Sequence, residues 1–565
     1  MSCSIRSIAC TLCLLLCGTR LHAQTPPAPP PSALLTDPQA QAHRDAAAAL
    51  AAKYDYAGAI QEYQQAYLLD KVSHLQNAGT DLNDIGAVYN HLSQYNTAVD
   101  FFQQALAIER EVKNKNGEAT LLNNLGSAYD SLSQYDKAID FFQQALIINR
   151  EVKSMAGEAG TLNNLGIAYD NLSQYGKGID FFQQALFIFR EINSTAGKAA
   201  ALSNLGYAYV HLSQYDSAID FYQEALTFER QVKNRLEEAG ILSNIGDAYT
   251  RLGRYNKAIG FFQKALSIER EVKIRAGESI TLNNLGSAYI HLGRYDKGIY
   301  FFQQVLIIQR EIKDRAREAT ALNNLGAAYS NLSQQDKAIA FYQKALTIQR
   351  EIKDQDGEAT TLNNIGAVYG YLSQYDKAVD FYRQALTLRR EIKDRAGEAG
   401  TLNNLAGVYK GLSQYDKAVD FYQQALVLCR EVKDQEGVGN TLSNLGDVYI
   451  SLSQYDKAIG FLRQALLIDR EIHARDREGI TLNNLGQAYE GLDQHAKAID
   501  FDQQALAIER EVKDRNGEAT TLSNIGGAYD SLSQYAKAIG FYQQALALRQ
   551  EIKNRAGVAV TLNNL

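Results

Sequence analysis

The sequence predicts an all-α solenoid built from antiparallel helix pairs. A 40-residue pattern recurs twelve times between residues 77 and 556, and no proline follows Pro38. Each unit carries two apolar stripes at helical spacing, among Ala, Leu, Gln, Glu, Lys and Arg, which lose little side-chain freedom in a helix. Proline is the strongest helix breaker, so a run of this length without it reads as helix throughout. One helix pair cannot bury both stripes, whereas stacked pairs share a continuous core. The repeat therefore replaces any count of separate domains.

Taken in order, residues 1–23 have the layout of a secretory signal. Arg6 lies in the n-region, an apolar run extends from Ile8 to Cys17, and Leu21-His22-Ala23 precedes the expected cut. That run is about half of what a membrane-crossing helix needs. The chain is therefore expected to be exported, to the periplasm or the outside, with no integral membrane span. Residues 24–41 hold all six prolines and read as an extended, solvated linker. A diverged helix pair follows at 42–76, with Ala47, Leu50, Tyr56, Ala59, Ile60 and Tyr63. The twelve regular units occupy 77–556, and 557–565 opens a further, incomplete one. Leu562 and Leu565 there lack a second helix to cover them, so this end is expected either to continue into more protein or to self-associate.

Composition excludes several classes. Of five cysteines, Cys3, Cys10, Cys13 and Cys17 fall in the leader, which leaves Cys429. A lone thiol rules out a disulfide scaffold and a cysteine-rich zinc module, and Cys429 reads as a small core residue. The net charge of −7 becomes more negative once Arg6 and Arg20 leave, so no basic stripe is available for nucleic acid.

Residues 117–156 show the unit. Leu122, Leu125, Tyr129 and Leu132 form one face of a first helix. Ala138, Phe142, Ala145, Leu146 and Val152 do so on a second, from 137 to 153. Ser133-Gln134-Tyr135-Asp136 supplies the turn and caps, and Gly117 is expected to stop the preceding second helix. Gly126 has a glycine counterpart in eleven of twelve units, with Ala406 the exception, and lets backbones approach. Tyr129 and Phe141 fill the space between helices.

The series Leu122-x-x-Leu125-Gly126-x-x-Tyr129 and Ala138-x-x-x-Phe142-x-x-Ala145 resembles the tetratricopeptide repeat, stretched from its usual length to 40 residues. Leu122 replaces the common Trp, and no Pro follows the second helix. The Leu-Asn-Asn-Leu form is similar to the repeats of kinesin light chain and Pins-type adaptors, and to bacterial arrays that precede a caspase-like CHAT domain. The resemblance implies a right-handed superhelix whose inner wall, made of first helices, holds an extended peptide.

Opposite the apolar stripe, Thr120, Asn124, Ser127 and Ser131 are expected to line that groove. Asn124 recurs as Asn164, Asn204, Asn244, Asn284, Asn324 and onward, with Asp84 differing. Asparagine is a poor helix former, so the column calls for an explanation. An amide can both donate to and accept from a peptide group, which makes the column a candidate ladder for a ligand backbone. It could equally join neighbouring helices, or be copied by duplication. Specificity is expected from groove positions that vary, concentrated between 160 and 295: Ile167, Asn171, Tyr207, His211, Asp247, Arg251 and His291.

No catalytic, metal-binding or cofactor-binding residues are predicted. There is no Gly-rich phosphate loop, His-Glu-x-x-His or Gly-x-Ser-x-Gly, and the periodic carboxylates read as caps and solvated faces. The leading expectation is a non-enzymatic scaffold for a protein or peptide segment. The alternatives are the recognition arm of a larger protein, such as a CHAT-type protease, and a structural self-associating array. Departures from the unit complete the reading. Asp502 in an aromatic position is expected to loosen or rotate the chain near 495–505, since a buried carboxylate is costly. Glu237, Arg317 and Arg477 at the loop-glycine position are expected to alter repeat junctions.

Overall fold

The structure, a computed structural model, describes residues 37–53 and 55–565. The expected signal segment and most of the proline-rich linker lie outside the described residues. Among the described residues the chain forms 27 helices and no strand. It divides into two compact units, one reaching Ile308 and one starting at Gln309.

The N-terminal unit opens with the pair Pro38–Ala51 and Tyr56–Ser73. The first of these starts inside the stretch expected to be linker. Asp37 caps it, accepting from the Gln39 and Ala40 N–H groups, and Pro38 sits in the first turn where its missing N–H costs nothing. Regular pairs follow, such as Lys115–Ser131 with Tyr135–Glu151 and Met155–Asn171 with Tyr175–Glu191. The C-terminal unit repeats the arrangement, from Arg315–Asn331 with Gln335–Ile352 to Tyr535–Glu551 and Arg555–Asn564.

Each turn has a fixed chemistry. Ser133 adopts a left-handed conformation, φ 59°, and the Gln134 N–H closes the helix end by donating to the Tyr129 carbonyl at 2.9 Å. At the junction between repeats Lys113 is left-handed, and the Asn114 N–H donates to the Glu109 carbonyl at 2.9 Å. Gly117 does not stop that helix, contrary to expectation. It lies in the first turn of the next one, where its N–H donates to the Asn114 side chain at 3.3 Å. It is small because the Glu109 carboxyl occupies the place a Cβ would take.

Where Glu237 and Arg317 replace that glycine the junction keeps its cap, from Asn234 and Asp314. Arg477 follows an uncapped start at Ala474 and pairs with the buried Asp469 at 3.0 Å.

The core is layered by the same positions in each repeat. A Cβ on Gly126 would lie 2.5 Å from a ring carbon of Phe142, so the glycine is what lets the two helices close. Tyr129 stacks on Phe141 at 5.3 Å and 3°, and among the described residues twelve such pairs recur. Lys137 lies over the Tyr129 ring at 5.4 Å, within cation–π range. Cys429 is buried.

Asp502 does not open the chain. The helix His495–Val512 is unbroken and Asp502 is 2% exposed. Its carboxyl faces Gly486 in the place of an aromatic ring. Burial, with Glu509 and Glu490 nearby, pushes its pKa up to about 8. A carboxyl that stays protonated carries no charge to bury, which removes the reason for outward rotation.

Candidate protein-binding face

The asparagine column is a ladder between repeats. In the N-terminal unit the Asn124 amide donates to Asn83 Oδ1 at 2.8 Å, Asn164 to Asn123 at 3.2 Å and Asn204 to Asn163 at 3.0 Å. In the C-terminal unit Asn364 donates to Asn323, Asn404 to Asn363 and Asn524 to Asn483, at 3.1–3.2 Å. Each bond runs from the asparagine at the position of Asn124 to the asparagine one place earlier in the preceding repeat's register, 41 residues back. Asn163 is 0% and Asn164 2% exposed, Asn324 is buried, and Asn244 and Asn284 are half-buried. One of the two N–H donors of each of these six amides is thus spent on the neighbouring helix. The reason is local: helix interiors leave an asparagine amide without a backbone partner, and a matching amide one repeat away satisfies it at modest net gain, about 0.5–1.5 kcal/mol.

Two further buried columns support the ladder. The Thr361 hydroxyl donates to Asn323 Oδ1 at 3.4 Å, and the Asn403 amide donates to Thr441 Oγ1 at 2.8 Å. Thr281 and Thr521 donate to the buried carboxyls of Glu269 and Glu509, both at 2.9 Å. Desolvation pushes those two carboxyls up to about 7. The sequence pattern singled out the donor column of Asn124 and Asn164 and missed the acceptors, Asn83 and Asn123. The doublet Asn-Asn, with a threonine two residues before it in five of the twelve units, was the available signal.

The variable residues fall into two sets. Ile167, expected to face an open groove, is 1% exposed, since burying an isoleucine side chain is worth about 1.5–3 kcal/mol. Asn171 is half-buried and donates to both oxygens of Asp130 one repeat earlier, at 2.8 and 3.0 Å. Tyr207, His211, Asp247, Arg251 and His291 keep accessible surface. The His211 ring lies against Tyr175 at 4.8 Å and Tyr207 at 4.5 Å, and His291 stacks on Tyr255 at 4.8 Å. Arg251 Nε pairs with Asp247 at 2.9 Å. These side chains sit at equivalent positions of successive first helices, held in place by ring stacking and one ion pair.

No helix among the described residues is long and apolar enough to cross a membrane. No group of three or more His, Cys, Asp or Glu among them could hold a metal ion.

No curated protein matches the sequence. The chain is similar in fold to BtubC (BKLC) from P. vanneervenii, at 19% identity and a TM-score of 0.35, over 39% of this chain and 90% of that one. It is similar to the apo form of RapI, at 17% identity and a TM-score of 0.40, over 49% and 99%. Similarity to the APC/C hetero-tetramer Cut9-Hcn1 covers 93% and 96% at 16% identity and a TM-score of 0.40. The family model of the tetratricopeptide repeat matches residues 76–151, 157–231, 198–271, 277–351, 334–391, 397–471 and 477–551. With helix pairs, inter-helix glycines and stacked aromatics recurring throughout that span, the chain belongs to the tetratricopeptide-repeat family.

Proposed function

We propose that this chain is a non-enzymatic scaffold that binds an extended protein segment along the first helices of its N-terminal unit. The observation that carries the reading is the set Tyr207, His211, Asp247, Arg251 and His291, accessible at equivalent positions on the first helices of consecutive repeats, the first of which an Asn204–Asn163 bond ties to its neighbour. Aromatic and arginine side chains with restrained geometry lose little entropy on binding, which suits them as anchors. The asparagine ladder, including Asn124, Asn164 and Asn204, contributes register to this face. The leader read from residues 1–23 supports an exported location.

The test is capture of partners from the exported fraction of the source cells, followed by measured affinities for wild type and the double variant Tyr207→Ala/Arg251→Ala. A loss of ten-fold or more is expected. Unchanged affinity for every captured partner would overturn the reading.

A further inference from the structure

Several repeats carry a strap whose basic residue others lack. At the start of a first helix, a basic residue three positions before a recurring glutamate reaches two carboxylates. Arg235 pairs with Glu238 at 2.6 Å and with Glu271, at the far end of its repeat's second helix, at 2.5 Å. Arg315 pairs in the same way with Glu318 and Glu351, and Arg515 with Glu518 and Glu551. Arg475 also reaches two, Glu478 and Glu511. Each strap ties the start of the first helix to the end of the second.

In the repeat that runs from Met155 to Glu191 the strap position is methionine. Glu158 retains only the Arg150 guanidinium, at 2.7 Å, and Glu191 makes no ion pair among the described residues. A cleft of about 790 Å³ lies here, lined by Met155, Leu162, Phe187 and Ile188. Glu158, Asp180 and Glu191 bring carboxylates to the same lining. Phe187 is 63% exposed, and Ile147, its counterpart one repeat earlier, 67%.

Other repeats without the basic residue differ in the rest of the set. Thr195 and Gln355 are matched by Thr227 and Thr387 where Phe187 stands, and Gln435 is followed by Val438 in place of a glutamate. Exposed apolar surface beside carboxylates, one of them without an ion pair, suits the docking of an amphipathic segment.

We infer that this cleft docks a segment of another protein that carries an arginine or lysine within one helical turn of a bulky apolar side chain. The apolar group covers Met155 and Phe187. The cation takes the place of the missing strap between Glu158 and Glu191, a place that Arg235 fills from within its own repeat. The surface is distinct from the first-helix face proposed above: Met155, Glu158 and Leu162 occupy the first two turns of their helix, and Ile167 and Asn171 its last.

The experiment uses the full chain and a random 12-residue peptide display library. Peptides selected on wild type are re-measured on Met155→Arg, which supplies the strap in cis and installs the residue that other repeats hold there. Phe187→Thr, the residue found at 227 and 387, is the second variant and changes an exposed side chain only. Selected peptides should carry a basic residue within four positions of Leu, Ile, Met or Phe. They should lose at least ten-fold in affinity on both variants and bind Tyr207→Ala/Arg251→Ala as well as wild type. Peptides that bind both variants like wild type, peptides with no basic residue, or a selection in which nothing responds to either change would each overturn the inference.

Discussion

The side-chain amide of Asn164 donates to the side-chain Oδ1 of Asn123, one repeat earlier, at 3.2 Å. Both residues are buried, so removing the acceptor strands a donor in the interior. Asn123→Ala should therefore cost about 1–3 kcal/mol, the penalty of an unsatisfied buried polar group. Denaturant unfolding with a double-mutant cycle against Asn164→Ala measures the coupling, and a coupling near zero would show that the bond contributes nothing.

Repeats are replaceable but their close contacts are not. A Cβ on Gly286 would lie 2.6 Å from a ring carbon of Phe302, so Gly286→Leu forces the helix pair apart. Deletion of one whole internal 40-residue unit leaves every remaining neighbour contact of the same type. Thermal melts should show a much larger loss for Gly286→Leu than for the deletion. Equal losses would contradict the expectation.

Gly176 stands on open space, with nothing within reach of an added Cβ, and lies inside the helix Tyr175–Glu191. Gly176→Ala should raise stability by about 0.5–1 kcal/mol through helix propensity. A fall in melting temperature would refute it.

Ser133 holds φ at 59°, whereas Gly253 and Gly293 occupy the same turn position in their repeats. A left-handed conformation costs a residue with a Cβ roughly 1–2 kcal/mol. Ser133→Gly should thus be neutral to stabilising by up to about 1 kcal/mol, despite the entropy that glycine adds to the unfolded chain. Chemical denaturation decides the sign.

Asp502 gives the C-terminal unit a pH dependence. Its carboxyl titrates near 3.8 when unfolded and at about 8 when folded. The raised folded value means that its contribution to stability is complete below about pH 4 and lost as pH rises through 8. Glu509, pushed up to about 7, acts in the same direction, and Glu490 is held by His495 and Ser531 at 2.9 Å. Asp502→Asn should flatten the fall in stability between pH 5 and 9, and Asp502→Phe should raise stability at neutral pH by about 1.5–3 kcal/mol. Melting temperatures across that range provide the check, and an unchanged slope in Asp502→Asn would sink the assignment.

Much of the fold was legible because its signals are local. The spacing of Leu122, Leu125 and Tyr129, the turn at Ser133 and the small residue at Gly126 all act within a few turns of helix. Gly117 was misplaced because a glycine near a helix boundary has the same appearance before and after it. Only the neighbouring Glu109 side chain shows why it must be small. The candidate face was legible in part: Tyr207 and Arg251 keep accessible surface, while Ile167 is enclosed.

The sequence by itself determined the helices, their pairing and their family, since period, propensity and turn chemistry are carried by adjacent residues. The tertiary structure decided what the recurring polar residues do. Asn124 reaches Asn83, Thr361 reaches Asn323, and Glu191 is left without the arginine that Glu271 has, because each of these depends on a partner 36 to 41 positions away. Such a partner is chosen by the stacking of one helix pair on the next, which one-dimensional periodicity does not specify.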